Sequence, residues 1–466
     1  MARSLGDGYV PPVNQLAPLL LACAFLVVRV LSAAETNALV WHAKKGEIEA
    51  RVAGLELSAT LETIAAQTGW RVFVEPGMKQ TVAAKFGPKP AGEALKMLLG
   101  STSFALIPQT NGSANLYIFR QNQAAATERI QPRATGKTIP NELLVQLKPG
   151  VRPEALAAQL GAKITGRIEG LNAYRFRFDT EAAANAARQF LERNDDAASV
   201  DSIFVVERPQ RPDAVNAAPL PAFALKAQPA AQGGSLIVGL IDTAIQPSDA
   251  LAGWLLPSIG VAGPVQLSDT VPTHGTSMLE TLLRAYGQVP IGQQEPTPMR
   301  VLPIDVYGTG SSTSTFEVAL GIQEALNGGA NIINLSLGGT GDSKFLHSLI
   351  QQANDRGVLF IAAAGNTPVT TSTYPAAYPE VIAVTATDAK GQLASYANRG
   401  EFVDIGAPGG SLVQYGGKTY YVSGTSSASA YISGLAAGLT ANTGKKPQEI
   451  GAKLIELMPL KPAAKP

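Results

Sequence analysis

The sequence predicts an α/β protein in which a doubly wound parallel sheet is preceded by two small α+β units. Three observations carry this. From position 235 onward, apolar runs of strand length alternate with stretches of helical period. These runs are continuously apolar, as strands covered on both faces are. Ahead of them, residues 45–120 and 139–208 each switch between period 2 and period 3.6, and 466 residues leave room for about three domains.

Composition excludes several classes. With 45% hydrophobic and 16% charged residues the chain lies outside the disordered regime. Thirty-seven basic against thirty-six acidic residues, a net charge of +1, give no electrostatic footprint for nucleic acid or for an acidic membrane surface. Cys23 is the only cysteine, and His42, His274 and His347 are the only histidines. None has the spacing of a zinc site, and no metal or other cofactor is expected.

Residues 1–34 read as a secretory signal: Arg3 lies in a short leading region, an apolar run follows from Leu16, and Ser32-Ala33-Ala34 supplies the small residues of a cleavage site. The same run is long enough to span a bilayer, so a retained N-terminal anchor is the alternative. The expected location is exported, periplasmic or extracellular. Leu20-Leu21-Ala22-Cys23 has some likeness to a lipobox, but apolarity continues beyond the cysteine where a lipoprotein turns polar.

In residues 45–120, Leu57, Leu61, Ile64 and Ala65 fall on one helical stripe, and Ala94, Leu95, Leu98 and Leu99 repeat it. Extended runs RVFV (71–74) and LYIF (116–119) complete a small sheet with two helices. A generic α+β domain is one reading of this pattern. The stretch VAGLELSATLETIAAQTGWRVFVEPGMKQTVAAKFGPKPAGEALKMLLGST also resembles the short N-terminal domain of secretins and TonB-dependent transducers. That resemblance implies a docking module for an envelope protein partner.

Residues 139–208 follow the order strand, helix, strand, strand, helix, strand of a split βαβ unit. Leu143, Val145 and Leu147 alternate with Leu144, Gln146 and Lys148, while Tyr174, Phe176 and Phe178 alternate with Arg175 and Arg177, as in half-buried strands. Residues 209–234, rich in Pro and Ala, read as a linker in which a chain break is expected.

In residues 235–460 the strands are expected at 235–242, 300–307, 330–337, 357–364 and 380–387. The stripe of Phe345, Leu346, Leu349, Ile350 and Ala353 marks a helix that Gly357 ends, with His347 on its solvent side. Ligands of such sheets collect beyond the carboxyl ends of the strands. Asp242 ends the first strand there, Gly365-Asn366 follows the fourth, a short helix opens at His274-Gly275-Thr276, and a long helix begins near Ser426. Taken singly, each has an ordinary structural use as a turn, cap or loop residue. Together a carboxylate, an imidazole, a carboxamide and a hydroxyl are the inventory of acyl transfer.

The blocks LIVGLIDT, THGTS, INLSLGG, AAAGN, YPAAYPEVIAV and VSGTSSASAYISG, in this order across residues 235–460, resemble the subtilisin-like serine proteases. The resemblance implies a serine endopeptidase with Ser426 as nucleophile, His274 as base and Asp242 orienting the imidazole. It also implies an oxyanion site formed by the Asn366 carboxamide and the Ser426 backbone N–H. Ser336, Leu337 and Gly338 would wall one side of a specificity pocket, with Ala362, Ala363, Ala364 and Gly365 opposite and Thr373 on its floor. Gly308, Thr309 and Gly310 would be the edge against which a protein or peptide substrate pairs. A dinucleotide fingerprint is the rival for Gly308-x-Gly310, but Thr313 stands where its third glycine belongs. The split βαβ unit would be the propeptide of a zymogen matured within or near residues 207–232.

Departures from the family pattern set further expectations. Ala244 replaces a glycine after Asp-Thr and is penalised if that turn needs positive φ. Glu280 replaces a small residue on the histidine helix, which must then pack differently, and Ala430 replaces a proline. Thr373 in place of glycine predicts a shallow pocket for small or medium apolar side chains. A subtilase fold that binds without cleaving, as an envelope scaffold, is the alternative to the enzyme.

Overall fold

The computed structural model describes residues 38–460 apart from 43–44, 69, 110–113, 131–135, 216–234, 266, 268–269 and 291–297. The expected signal or anchor segment with Cys23, and most of the expected linker, lie outside the described residues. Among the described residues, no helix is long and apolar enough to cross a membrane.

The chain divides into two compact units, residues 1–127 and 128–466. In the first, strands Ala38–His42, Glu47–Glu56 and Thr81–Pro90 form an antiparallel sheet with Glu47–Glu56 in the centre. Arg71–Val74 runs parallel to Ala114–Phe119, which pairs antiparallel with Ser103–Pro108. Helices Leu57–Thr68 and Ala91–Leu99 bury the two stripes read from the sequence, including Leu61, Ile64, Leu95 and Leu99.

The second unit opens with the split βαβ arrangement: strands Thr138–Leu147, Lys163–Ile168, Ala173–Arg177 and Ala197–Glu207, with helices Pro153–Leu160 and Glu181–Arg193. All neighbouring strands are antiparallel, and Thr138–Leu147 and Ala173–Arg177 are central. One face buries Leu143, Val145, Leu147, Phe176 and Phe178 beneath its own helices. The other face is not solvated as a half-buried sheet would be. Leu144, Ile168, Ala173, Ile203 and Val206 pack with Phe316, Phe345 and Leu346 from helices Thr315–Asn327 and Lys344–Asp355 of the large sheet's layer. Polar links fix the same face: Asp201 accepts from Ser343 Oγ at 2.7 Å and from Phe345 N at 2.9 Å, at the start of the second helix. Arg175 lies between Glu142 and Glu317.

The large sheet has seven parallel strands in the spatial order Ile259–Gly260, Met299–Asp305, Leu236–Asp242, Ile332–Leu335, Leu359–Ala363, Val381–Thr387, Ile405–Pro408. The five expected strands are present, with no end displaced by more than two residues. The two edge strands are additions, too short to show a period. The order reverses between Leu236–Asp242 and Ile332–Leu335, which opens a crevice at their carboxyl ends. The helix that starts at His274 runs 13 residues to Tyr286, longer than expected, and a helix from Thr425 to Thr443 leads away from the crevice. A hairpin, Gly410–Tyr415 with Lys418–Ser423, precedes it. Within the stretch read as linker, Asp213–Val215 is a third strand on this hairpin.

Gly434 and Gly438 let the Thr425–Thr443 helix approach the His274–Tyr286 helix closely. A methyl at Gly434 would lie inside contact distance of the Leu282 carbonyl and 2.8 Å from Ala285 Cβ. Gly434→Ala should therefore lower stability by about 1–3 kcal/mol, measured as a fall in Tm. An unchanged Tm would mean that the two helices stand farther apart.

Candidate functional site

The first strand carries Asp242 into the crevice, where its carboxylate is fully buried. His274 Nδ1 lies 2.8 and 2.9 Å from the two carboxylate oxygens, and the Thr243 backbone N–H donates to Oδ1 at 2.6 Å. Acceptors on this side hold the proton on Nδ1 and leave Nε2 as the basic nitrogen.

The turn between Asp242 and the histidine helix is stitched to the start of that helix. Gly275 N donates to Thr243 Oγ1 at 2.8 Å, Gln246 N to Thr276 Oγ1 at 2.9 Å, and Thr273 N to Gln246 Oε1 at 2.8 Å. Thr273 caps the helix by accepting from Thr276 N at 3.1 Å. Ala244 does not fall in the positive-φ region, so the alanine costs this turn nothing and Asp242 is not displaced. Glu280 is buried on the same helix, which raises its pKa. The carboxylate accepts from Arg284 on one oxygen and from the Gln414 backbone N–H on the other at 2.7 Å. Ala430 is fully buried in the serine helix.

Ser426 stands in the first turn of the Thr425–Thr443 helix, whose leading backbone N–H groups have no intrahelical acceptor. Its hydroxyl donates to the Ser336 carbonyl oxygen at 3.0 Å, and Ser336 Oγ donates to the Ser426 carbonyl oxygen at 3.0 Å. His274 and Ser426 line one cleft of about 630 Å³, but the Ser426 hydroxyl is turned to Ser336 rather than to the imidazole. Donation to Nε2 requires it to leave that carbonyl.

Asn366 lines the cleft beside them. Its Oδ1 accepts from Thr425 N at 2.8 Å and from Thr425 Oγ1 at 3.1 Å. Both partners lie on the oxygen, and among the described residues Nδ2 has no acceptor. Gly424 makes room for it: φ is 147°, and a Cβ there would lie 2.9 Å from Nδ2.

Ser336, Leu337, Gly338, Ala363, Gly365 and Thr373 also line the cleft. Ala362 and Ala364 are fully buried and do not reach it, because alternate residues of that strand point to the other side of the sheet. Gly308, Thr309 and Gly310 stand beside the cleft rather than in its wall. The Arg208 side chain donates to the Gly308 and Gly310 carbonyl oxygens, and antiparallel pairing falls on Ser312–Ser314 against Val205–Glu207. His347 belongs elsewhere: its Nε2 is 2.9 Å from Glu380 and its ring stacks on Tyr378. Among the described residues no group of three or more His, Cys, Asp or Glu is placed to hold a metal ion.

Asn398 is a residue that the sequence pattern did not disclose. It is buried and clamps the loop that carries Asn366. Nδ2 donates to Ala364 O at 2.8 Å and to Thr373 Oγ1 at 3.0 Å, Oδ1 accepts from Thr367 N at 2.9 Å, and the backbone N–H donates to Gly365 O at 2.9 Å. Gly365, at φ 106°, is held so close that a Cβ would lie 2.5 Å from Nδ2. No periodicity marks Asn398. It lies in the long connection, residues 388–404, between the strands Val381–Thr387 and Ile405–Pro408, where the sequence carries no signal for it.

Residues 233–457 match the subtilase family, and residues 124–200 match the fervidolysin N-terminal prodomain. A thermostable alkaline protease of Halalkalibacterium halodurans is 34% identical over 215 residues, 44% of this chain and 56% of that protein. The chain thus spans about half the length of that relative. Subtilisin Savinase of Lederbergia lenta is 31% identical over 213 residues, 44% of this chain and 76% of that protein. The crystal structure of an epidermin leader peptide processing serine protease from Staphylococcus aureus superposes with a TM-score of 0.51 over 67% of this chain and 92% of that one, at 17% identity. That is a likeness of fold.

If Asn366 is an oxyanion donor and Asn398 acts by holding its loop, Asn398→Ala should lower turnover by about 10- to 100-fold, part of the 10²–10³ that loss of such a donor costs. In an Asn366→Ala background the same change should cost almost nothing further. Equal losses in both backgrounds, measured as kcat, would assign Asn398 to general stability instead.

Proposed function

Because the chain belongs to the subtilase family, we propose that it is a serine endopeptidase acting on protein or peptide substrates through Ser426, His274 and Asp242. The observation that carries this reading is the 2.8 Å bond from His274 Nδ1 to buried Asp242, with His274 and Ser426 on one cleft. His274 Nε2 takes the Ser426 proton as Oγ attacks the substrate carbonyl carbon. The oxygen, now negative, accepts from Asn366 Nδ2 and from the Ser426 backbone N–H. The imidazolium, stabilised by Asp242, gives its proton to the leaving nitrogen as the C–N bond breaks. Water then releases the acyl group by the same steps in reverse order of roles.

Thr373 narrows the pocket. A Cβ built on Gly338 would lie 3.1 Å from its methyl carbon, and one built on Gly365 would lie 3.4 Å from its hydroxyl oxygen, so the threonine fills the space between the two glycine walls. Small or medium apolar side chains fit before the cleaved bond.

The prodomain-like unit supports a zymogen. Its last strand pairs with Ser312–Ser314, and residues Glu207 to Asp213 continue along the cleft that holds Ser426. Product or substrate cannot occupy this path while the segment does. The apolar run and small residues before position 35 support export of the chain, and the resemblance of residues 45–120 supports docking to an envelope protein.

A fluorophosphonate probe should label the processed protein and fail to label Ser426→Ala. Absence of labelling in the processed wild type would leave a binding scaffold in place of the enzyme. In a peptide library, cleavage should follow Ala, Val or Leu, and Thr373→Gly should raise kcat/KM for Phe at that position by about tenfold, the worth of one or two extra buried methylenes. Cleavage dominated by Phe, Tyr or Lys in the unaltered protein would refute the shallow pocket.

A further inference from the structure

The helix His274–Tyr286 is bonded to the hairpin that precedes Ser426 at two successive residues. Glu280 accepts from the Arg284 guanidinium on Oε1 and from the Gln414 backbone N–H on Oε2 at 2.7 Å, and Thr281 Oγ1 donates to Ser411 Oγ at 2.9 Å. Gln414 and Ser411 lie on the strand Gly410–Tyr415, opposite Thr419 and Val422 of the return strand. That strand ends at Ser423, and Gly424 N donates to Gly409 O at 2.9 Å where the helix of Ser426 opens. A short bonded path thus joins the histidine bank of the cleft to the serine bank. The Gly434 crossing joins them too, but by packing contact, which has no direction.

We infer that Glu280 is a positioning residue for the reaction proposed above: through Gln414 it holds the helix of His274 at the offset from Ser426 that proton transfer needs. The inference rests on that peptidase reading and adds to it a residue that acts through others. Only the ionised carboxylate can serve. Both of its oxygens already accept, so a proton on either one meets the guanidinium or the Gln414 N–H, and one bond must break. Burial raises the Glu280 pKa, and Arg284 opposes that rise. The elements packed most closely on this helix bring no further charge to it. Strand Gly410–Tyr415 and the Thr425–Thr443 helix carry only the phenols Tyr415 and Tyr431, and Asp242, the one charge of strand Leu236–Asp242, is bonded to His274. Loss of the tie disturbs aim rather than binding, and a misplacement of about 1 Å costs on the order of 100-fold in rate.

The test uses the processed protein, with the active fraction of each variant counted by the fluorophosphonate and kcat and KM measured on one short peptide across pH. In the wild type, kcat should fall at the acid end more steeply than one proton allows, because His274 and Glu280 both take up protons there. Glu280→Gln is nearly the same size but cannot offer two acceptors. It should lower kcat by about tenfold, the order of one hydrogen bond to a charged group, with KM unchanged and an acid limb reduced to a single proton. Arg284→Met keeps the carboxylate, removes its cation, and should move the steeper limb to higher pH. A kcat for Glu280→Gln within about twofold of wild type, or one and the same acid limb in all three proteins, would overturn the positioning role and leave the peptidase standing. Should Glu280→Gln fail to fold, Arg284→Met decides, and an unshifted limb there overturns the role. A wild-type protein that neither labels nor cleaves would overturn the peptidase reading and this inference with it.

Discussion

The position of Ser426 depends on a column of buried polar side chains between the helix Thr425–Thr443 and the central strand Ile332–Leu335. Asn334 Oδ1 accepts from Ser429 Oγ at 3.0 Å and from Ser433 Oγ at 2.9 Å, and Asn334 Nδ2 donates to Ser336 Oγ at 2.9 Å, which in turn donates to the Ser426 carbonyl. Asn334 and these serines, apart from Ser426 at the cleft, are almost wholly buried. Apolar packing is non-directional and would allow the helix to slide or rotate. A satisfied polar network in a dry interior does not, because any shift leaves several donors and acceptors unpaired at once. Serines at 426, 429 and 433 lie three and four apart, on the one face that meets the strand.

From that registration the rest of the site follows by short links. Thr425 is fixed as the first residue of the helix, and its N–H and hydroxyl set the orientation of Asn366. Thr425 Oγ1 also accepts from Gly365 N at 3.0 Å, so the neighbouring Gly365 and Asn366 are both held by one residue. On the opposite bank, the turn after Asp242 and the start of the histidine helix exchange side-chain to backbone bonds in both directions. The two banks meet where Gly434 lets the helices touch. The geometry of the cleft residues is an outcome of helix placement, not of any single loop.

The large sheet was legible because its strands are buried on both faces and therefore read as uninterrupted apolar runs. The candidate site residues Asp242, His274, Asn366 and Ser426 were legible because they sit at element ends, where a polar residue interrupts an apolar run. What could not be read is what depends on a partner far along the chain. Asn398 is 25 to 34 residues from the side chains and carbonyls it holds. Leu144 reads as the outward position of a half-buried strand, and only the presence of helices Thr315–Asn327 and Lys344–Asp355 buries it. The hairpin at 410–423 is a different matter: Gly416-Gly417, both with positive φ, is a strong two-residue turn signal between alternating segments. Its signal is local, the turn chemistry of a hairpin rather than the uninterrupted apolar run of a buried parallel strand.

Glu280 shows how a departure from the family pattern is absorbed. A carboxylate on the buried side of the histidine helix is costly unless each oxygen has a partner. Arg284, one turn on, supplies one, and the backbone N–H of Gln414 supplies the other. The second bond reaches the hairpin whose return strand, Lys418–Ser423, ends at Gly424 beside Asn366. Thr281 makes a parallel link, donating to Ser411 Oγ at 2.9 Å. Through these two residues the helix that carries His274 is bonded to the hairpin that precedes Ser426, a connection independent of the Gly434 crossing. A glycine at 280 would pack closely and bond nothing there. The glutamate therefore exchanges tight apolar packing for a polar tie between the helix of His274 and the strand that leads to Ser426.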